Sequence, residues 1–124
     1  MAKILVVDDE EDVRTYLKFY LEDNGYKVRC AQNGMEGSKL LKTFKPDLAI
    51  IDIIMPKQSG ITLFSKMRKM KEFKGTPIII LSAVVRYREQ FKKKYGALPP
   101  PDAFVDKPFD SAKLIKIIEA LLEV

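Results

Sequence analysis

The chain has 124 residues, of which 47% are apolar and 31% charged, and this composition is typical of one globular domain rather than of a disordered or low-complexity segment. No apolar run approaches the roughly 18 to 20 residues of a membrane-spanning helix, and the first residues lack the features of a signal peptide, so we expect a cytoplasmic protein. Histidine is absent, which excludes histidine ligation of a metal and histidine general-base catalysis.

Apolar runs alternate five times with amphipathic segments along the chain. The runs are short and rich in β-branched residues, as in strands that are buried on both faces of a parallel sheet. They lie at residues 4–7, 26–31, 48–51, 78–81 and 104–105. Helices are predicted at about 11–24, 35–44, 62–72 and 85–95 and from about residue 110 onwards. The alternation indicates stacked βαβ units, hence an α/β protein, in one domain over residues 1–124.

Individual residues indicate which face of the first helix is buried and where helices and loops begin or end. Apolar residues of the first predicted helix follow the stripe expected of a half-buried helix, namely Val13, Tyr16, Leu17, Tyr20 and Leu21. Gly25 supplies the stop of this helix, and the pair Lys45-Pro46 ends the second. Three consecutive prolines, Pro99 to Pro101, precede the fifth strand, and we expect them to form an extended surface loop.

Polar residues follow the apolar runs at the points where four of the strands end. Asp8 and Asp9 follow the first run, Asp52 the third, Ser82 the fourth and Lys107 the fifth. The carboxyl ends of parallel strands share one edge of the sheet, and ligands of open α/β sheets bind at that edge. We therefore expect these five side chains to converge.

The chemistry of the group favours a site for a metal and a phosphoryl group. Three carboxylates at close range repel one another, and a divalent cation relieves that repulsion. Mg²⁺ fits better than Ca²⁺, because it needs few protein oxygens and shares phosphate oxygens. Asp52 stands alone on its strand and is the best candidate nucleophile, while Lys107 and Ser82 are suited to bind phosphoryl oxygens. Taken singly, each residue also fits a loop-starting or helix-capping role.

The motifs that contain these residues carry a family resemblance. They are the segments 6–10 (VVDDE), 52–56 (DIIMP) followed by Gly60, 82–83 (SA) and 107–109 (KPF), in this order and over essentially the whole chain. In this respect the chain resembles the receiver domains of bacterial two-component response regulators, in particular the single-domain receivers of chemotaxis and sporulation relays. The resemblance implies a doubly wound, five-stranded parallel sheet of the flavodoxin-like (βα)5 type, with strand order 2-1-3-4-5.

The resemblance also implies roles for individual residues. Asp52 would accept a phosphoryl group from a histidine kinase or a histidine phosphotransfer protein. Asp9, Asp52 and the backbone carbonyl of Ile54 would ligate Mg²⁺, and Asp8 would act mainly through water. Ser82 and Lys107 would bind the phosphoryl oxygens.

Further positions match structural and switch residues of the family. Pro56 and Gly60 belong to the motif after the third strand, and the Lys107-Pro108 peptide bond would be cis. Phe104 matches the aromatic switch residue of the family, whose rotamer follows the position of Ser82. Phosphorylation would therefore reshape a partner-binding face made by the fourth helix, fifth strand and fifth helix.

Such a protein is not an enzyme acting on a separate substrate, but a phosphoacceptor that assists its own phosphorylation and dephosphorylation. The stretch from Ala97 to Phe104 is longer than in the family, which alters the loop that feeds this face.

Other classes of protein fit the sequence less well than a receiver domain does. A phosphatase of the haloacid-dehalogenase type needs a second Asp two residues after the nucleophile, where this chain has Ile54. A nucleotide-binding flavodoxin-like domain lacks support because no glycine-rich phosphate loop is present. The net charge of +5, with basic residues concentrated at 66–71 and 86–94, leaves nucleic-acid binding by the face around 86–94 as an alternative. A receiver-like scaffold that acts without phosphorylation is a further alternative.

Overall fold

The computed structural model describes residues 1–82, 93 and 98–123, and in this part of the chain five parallel strands form one sheet in the order β2-β1-β3-β4-β5. The elements are β1 (Lys3–Val7), α1 (Glu11–Asp23), β2 (Lys27–Ala31), α2 (Gly34–Phe44), β3 (Leu48–Asp52), α3 (Ser59–Lys69), β4 (Ile78–Ser82), β5 (Ala103–Asp106) and α4 (Ser111–Leu122). The α/β class and the predicted strand order are confirmed. The helix predicted at about 85–95 falls, apart from residue 93, outside the described residues. None of the described helices is long and apolar enough to cross a bilayer.

The sheet is buried on both faces. One face packs on α2 and α3, and the other packs on α1 and α4. Alternate residues of each central strand point to opposite faces, and every residue of β3 and every residue of β1 after Lys3 is buried. Apolar side chains are therefore favoured along the interior of these strands, and polar groups such as Asp52 enter where a strand ends.

The first two helices follow the sequence closely. Helix α1 ends at Asp23, and Gly25 after it has φ of 92°, in the left-handed region that glycine adopts readily. Helix α2 ends at Phe44, with Lys45 in the left-handed conformation directly before Pro46. One prediction about α1 was wrong: Tyr16 is 48% exposed, because its ring stacks on Tyr20 and its hydroxyl reaches the Ser111 hydroxyl at the start of α4 instead of entering the core.

Helix α3 begins and ends about three residues earlier than predicted. A 3-10 turn at Pro56–Gln58 leads directly into it, so the helix includes Gly60 instead of starting after it. An ideal Cβ at Gly60 would lie 2.0 Å from the carbonyl oxygen of Asp52, which only a glycine permits. The glycine thus allows the first turn of α3 to lie directly against the last residue of β3.

One buried arginine holds the proline segment in place. Arg68, on α3, is 4% exposed and its guanidinium lies 5.4 Å from the ring of Phe64. It donates hydrogen bonds to the carbonyl oxygens of Lys74, Thr76, Pro99 and Pro100 and to the carboxylate of Asp102. Residues Pro99–Pro101 lie outside helices and strands, with Pro99 and Pro100 exposed, as predicted. Sequence analysis did not identify Arg68 as their anchor.

We predict that Gly60→Ala destabilises the fold by about 2 to 3 kcal/mol, since the added methyl group collides with the main chain of Asp52 in a packed region. Gly75→Ala is the matched control, because an added Cβ there meets no atom within 4 Å. Urea denaturation of both variants measures the difference. Equal stability of the two would contradict the close contact between α3 and β3.

Candidate functional site

The four polar strand ends meet at one edge of the sheet. Val7 of β1 pairs with Ile51 of β3, so Asp8 and Asp52 follow at the same level on adjacent strands. Asp52 pairs with Leu81 of β4, and Ser82 pairs with Asp106 of β5. Lys107 follows Asp106 directly, so the sheet register alone brings the predicted site residues to the carboxyl edge.

Four acidic residues form a cluster at this edge. Asp8, Asp9, Glu10 and Asp52 each offer an oxygen that lies within 4.8 Å of the others. The residues differ in exposure: Asp8 and Asp52 are 0% and 2% exposed, whereas Asp9 and Glu10 are exposed. The cluster therefore has a buried floor and an open rim.

Lys107 lies at the centre of the cluster. Its Nζ is 2.8 Å from Asp8 Oδ2, 3.1 Å from Glu10 Oε1 and 3.2 Å from Asp52 Oδ2. Burial alone lowers the pKa of Lys107, but the three carboxylates outweigh burial and raise it above its usual value. The lysine is therefore a fixed positive charge that partly offsets the cost of burying the two aspartates.

The ionised form of Asp52 remains electrostatically unfavourable in spite of the nearby Lys107. Its Oδ1 accepts a hydrogen bond of 2.9 Å from the backbone N–H of Ile54, which favours the ionised form. Burial is the largest influence and, with the negative charge of Asp8, raises the pKa of Asp52 to about 6. At neutral pH the carboxylate is mostly ionised but poorly solvated, which is the condition of a group that gains from a further positive charge.

Of the other predicted residues, two have the expected backbone features. The Lys107-Pro108 bond is cis, as the family resemblance implied. Pro56 opens the 3-10 turn before α3. Ser82 ends β4 at the expected place, and the conformation of its side chain is outside the described part of the structure. Phe104 is partly buried and packs with the core cluster beneath α2 and α3.

Glu10 is a site residue that the sequence analysis quoted in a motif but gave no role. It follows Asp8 and Asp9 directly, and that adjacency to an acidic pair was the available signal. Its backbone N–H donates to Asp8 Oδ1 at 2.9 Å, which orients the buried carboxylate, while its own carboxylate accepts from Lys107.

The donor set fits a small divalent cation. Every candidate ligand is an oxygen, as Mg²⁺ prefers. Asp8 Oδ2 is fully buried and contacts the Lys107 ammonium at 2.8 Å, but Glu10 and Asp52 share the same ammonium. One lysine cannot neutralise three carboxylates, and a divalent cation would supply the missing positive charge.

Comparison with known proteins establishes the family. The response regulator receiver domain model matches residues 4–119. The chain therefore belongs to the response regulator receiver domains of two-component signalling, and proteins of this family bind Mg²⁺ at an acidic cluster of this kind.

Curated relatives are longer than this chain. It is 38% identical over 120 residues to the alkaline phosphatase synthesis transcriptional regulatory protein PhoP of Bacillus subtilis, covering 97% of this chain and 48% of PhoP. It is 29% identical to the DNA-binding dual master transcriptional regulator RpaA of Synechocystis, covering 98% of this chain and 49% of RpaA. The chain thus spans about half the length of these relatives.

Solved structures agree with the fold. The chemotaxis response regulator CheY4 of Vibrio cholerae superposes with a TM-score of 0.85 at 30% identity, covering 98% of this chain and 99% of that one. The response regulator TrrA of Thermotoga maritima, solved in complex with Mg²⁺ and BeF, gives a TM-score of 0.84 at 36% identity and covers 98% of this chain and 100% of TrrA. The family prediction made from the motifs is confirmed.

The raised pKa of Asp52 predicts a pH-dependent gain in stability for Asp52→Asn. A carboxyl whose pKa is higher in the folded state opposes folding when it ionises, so its cost is absent at low pH, grows between about pH 4 and 6, and is complete by pH 8. In metal-free buffer we expect Asp52→Asn to stabilise the protein by roughly 1 to 3 kcal/mol at pH 8, and by much less at pH 4.

Urea denaturation at the two pH values, with a chelator present, measures this gain. Asp23→Asn, at the exposed end of α1, removes the same charge and should change stability by less than about 0.5 kcal/mol. A gain for Asp52→Asn that is equal at both pH values would refute the raised pKa.

Proposed function

We propose that this chain is a phosphoryl-accepting switch in a two-component phosphorelay, with Asp52 as the acceptor. The observation that carries this proposal is the position of Asp52: a buried carboxylate at the open edge of the sheet, 3.2 Å from the Lys107 ammonium and clustered with three further acidic residues. A structural ion pair needs one carboxylate for one lysine, whereas this lysine contacts three. The surplus of negative charge suits a site that recruits a cation and a phosphoryl group.

The transfer itself requires little covalent chemistry from the protein. A carboxylate oxygen of Asp52 attacks the phosphorus of a phosphohistidine, an O–P bond forms, the P–N bond breaks, and the electron pair returns to the imidazole of the donor. The Ile54 N–H holds the carboxylate in a fixed orientation. The Lys107 ammonium, already shared among several oxygens, can follow the negative charge from Asp52 onto the transferred group.

Asp9, Asp52 and the Ile54 carbonyl would hold Mg²⁺, with Asp8 acting through water, and the bound ion would supply charge neutralisation for the phosphoryl oxygens. The cluster of four carboxylates, three of which share the single ammonium of Lys107, supports this assignment. In this role the chain accepts a group and assists its own phosphorylation and dephosphorylation, and it has no separate substrate to turn over.

The donor protein needs a docking surface next to Asp52. Phe19 and Tyr16 on α1 are 74% and 48% exposed. The Tyr16 ring lies 6.1 Å from that of Phe109, which belongs to the loop that carries Lys107. We propose this aromatic patch as the contact for a sensor histidine kinase or histidine phosphotransfer protein, because a partner seated there lies beside the loop that reaches the acceptor.

The output would pass through Ser82 and Phe104. These residues lie on neighbouring strands β4 and β5, which are paired in register. We propose that the phosphoryl group draws the Ser82 hydroxyl inward, that Phe104 follows, and that the face containing β5 and α4 changes its fit to a downstream protein. The predicted fourth helix, also part of this face, lies outside the described residues, as does most of the basic stretch 86–94 proposed as an alternative nucleic-acid surface.

We expect incubation with acetyl phosphate and Mg²⁺ to add one phosphoryl group to the folded chain, because a small donor needs no docking surface. Intact-protein mass spectrometry measures the addition. Asp52→Ala should add none, and neither should the unmodified chain when a chelator removes the metal. A folded, Mg²⁺-binding chain that accepts no phosphoryl group would favour the phosphorylation-independent scaffold.

A further inference from the structure

The described part of the molecule has a groove between α2 and α3, and Asp9 lies in the lining of this groove. Its volume is about 800 Å³, within the range of ordinary ligand-binding clefts. We call it the α2–α3 groove, and its lining consists of Asp9, Gln32, Asn33, Gly34, Met35, Ser38, Lys39, Pro56, Lys57, Ser59, Thr62, Leu63 and Lys66.

The groove is closed at one end by a contact between its two helices. An ideal Cβ at Gly34 would lie 2.1 Å from the carbonyl oxygen of Ser59, so the first turns of α2 and α3 touch there. Farther along, the Lys66 ammonium bonds to the Ser38 hydroxyl. The hydroxyl of Ser59 is buried in this wall and has no described hydrogen-bond partner. Contacts between the two helices therefore hold the walls of the groove together, and the Ser59 hydroxyl has no described hydrogen-bond partner in them.

Positive charge dominates this surface. Lys39, Lys57 and Lys66 line the groove, whereas Asp9 is the one acidic residue among its described lining. Another depression lies at the C-terminal ends of the same two helices, and its lining includes Lys42, Lys45 and Lys71 together with Glu72. None of these six lysines forms an ion pair with another described residue, in contrast to Lys18, Arg68 and Lys107. The helix pair thus presents a band of charge that is not neutralised within the described fold.

Apolar groups accompany the charge. Met35, at the edge of the groove, is 70% exposed although it is a large apolar side chain on a regular helix. Leu63 and Pro56 add further apolar wall. On α2, Met35, Lys39 and Lys42 recur at the spacing of one helical face, so the methionine and the lysines point the same way. A surface of this kind combines an apolar anchor point with charges at its rim, as protein-binding grooves do.

The shape favours an elongated ligand. Helices α2 and α3 have 11 residues each, or about 16 Å, and the basic band extends along both. A small anion would occupy only one of the two depressions. A helical or extended segment laid along the pair would cover both, and would bring its charges to lysines at both ends.

We propose that the α2–α3 groove binds an acidic, amphipathic segment of a partner protein, which inserts an apolar side chain beside Met35 and places carboxylates against the lysines. An acidic protein segment fits better than nucleic acid. The described lining offers no arginine for bidentate phosphate contacts and no aromatic ring for stacking. The acidic cluster that begins at Asp9 would also repel a phosphate backbone. This interaction does not depend on phosphorylation of Asp52.

The experiment is a titration of the ¹⁵N-labelled full chain, followed by NMR, with a model helical peptide of about four turns that carries glutamates on one face and leucines on the other. We expect saturable shifts at Met35, Lys39 and Lys66 and an affinity that falls with added salt. Lys39→Glu with Lys42→Glu should weaken binding at least tenfold, and Met35→Ser should weaken it several-fold. Lys113→Glu with Lys116→Glu, at exposed positions of α4, makes the same charge change elsewhere and should leave the affinity within about twofold.

Four results would overturn the proposal. The first is that a peptide with lysine in place of every glutamate binds as tightly as the acidic peptide. The second is that the α4 control variant weakens binding as much as the α2 variant. The third is that a single-stranded oligonucleotide binds more tightly than the acidic peptide at the same residues. Absence of saturable shifts with the acidic peptide would overturn it as well. Because the variants keep Asp52 and Lys107, phosphorylation by acetyl phosphate can be measured on them separately, and its failure would not be confused with loss of this groove.

Discussion

The site depends on the burial of two carboxylates beside one ammonium group. Asp8 and Asp52 leave water almost completely, and Lys107, with its Nζ 2.8 Å and 3.2 Å from them, offsets only part of that cost. The pKa of Asp52, raised to about 6, records what remains. A cation or a phosphoryl group bound at this edge would act directly on these buried charges, and in this way a small chemical event could bias a conformational equilibrium.

The sheet imposes this arrangement. Strands buried on both faces exclude polar side chains until each strand ends, so the register of β1, β3, β4 and β5 gathers the polar residues at one edge. Helix α3 is tied to the same edge, because Gly60 lets its first turn touch the carbonyl of Asp52. At its other end, Arg68 ties α3 to the proline segment that precedes β5. Contacts at the two ends of α3 therefore connect Asp52 to the strand that carries Phe104 and leads to Lys107.

The sequence predicted the features that follow from chain-local patterns. Apolar runs identified the strands, the polar residues after four of these runs identified the candidate site, and the motifs identified the family. Features that depend on distant contacts were missed or misjudged. The start of α3 was predicted too late, because the close contact of Gly60 with Asp52, which places the first turn of the helix, has no counterpart in the apolar pattern of the segment. Tyr16 fits the apolar stripe of α1, but its hydroxyl contacts Ser111 at the start of α4. The anchoring role of Arg68 could not be predicted, because its hydrogen-bond acceptors are mostly backbone carbonyls, which any residue type provides.

The most direct test of this account is the side-chain carboxyl ¹³C resonance of Asp52, followed by NMR as a function of pH with and without Mg²⁺. We expect a titration midpoint near 6 in metal-free buffer, and a marked downward shift when Mg²⁺ is added, because the cation stabilises the ionised form. A midpoint near the ordinary value of about 4 that does not change with Mg²⁺ would contradict the central claim. That claim is that incompletely compensated negative charge at this sheet edge raises the pKa of Asp52 and favours binding of a cation.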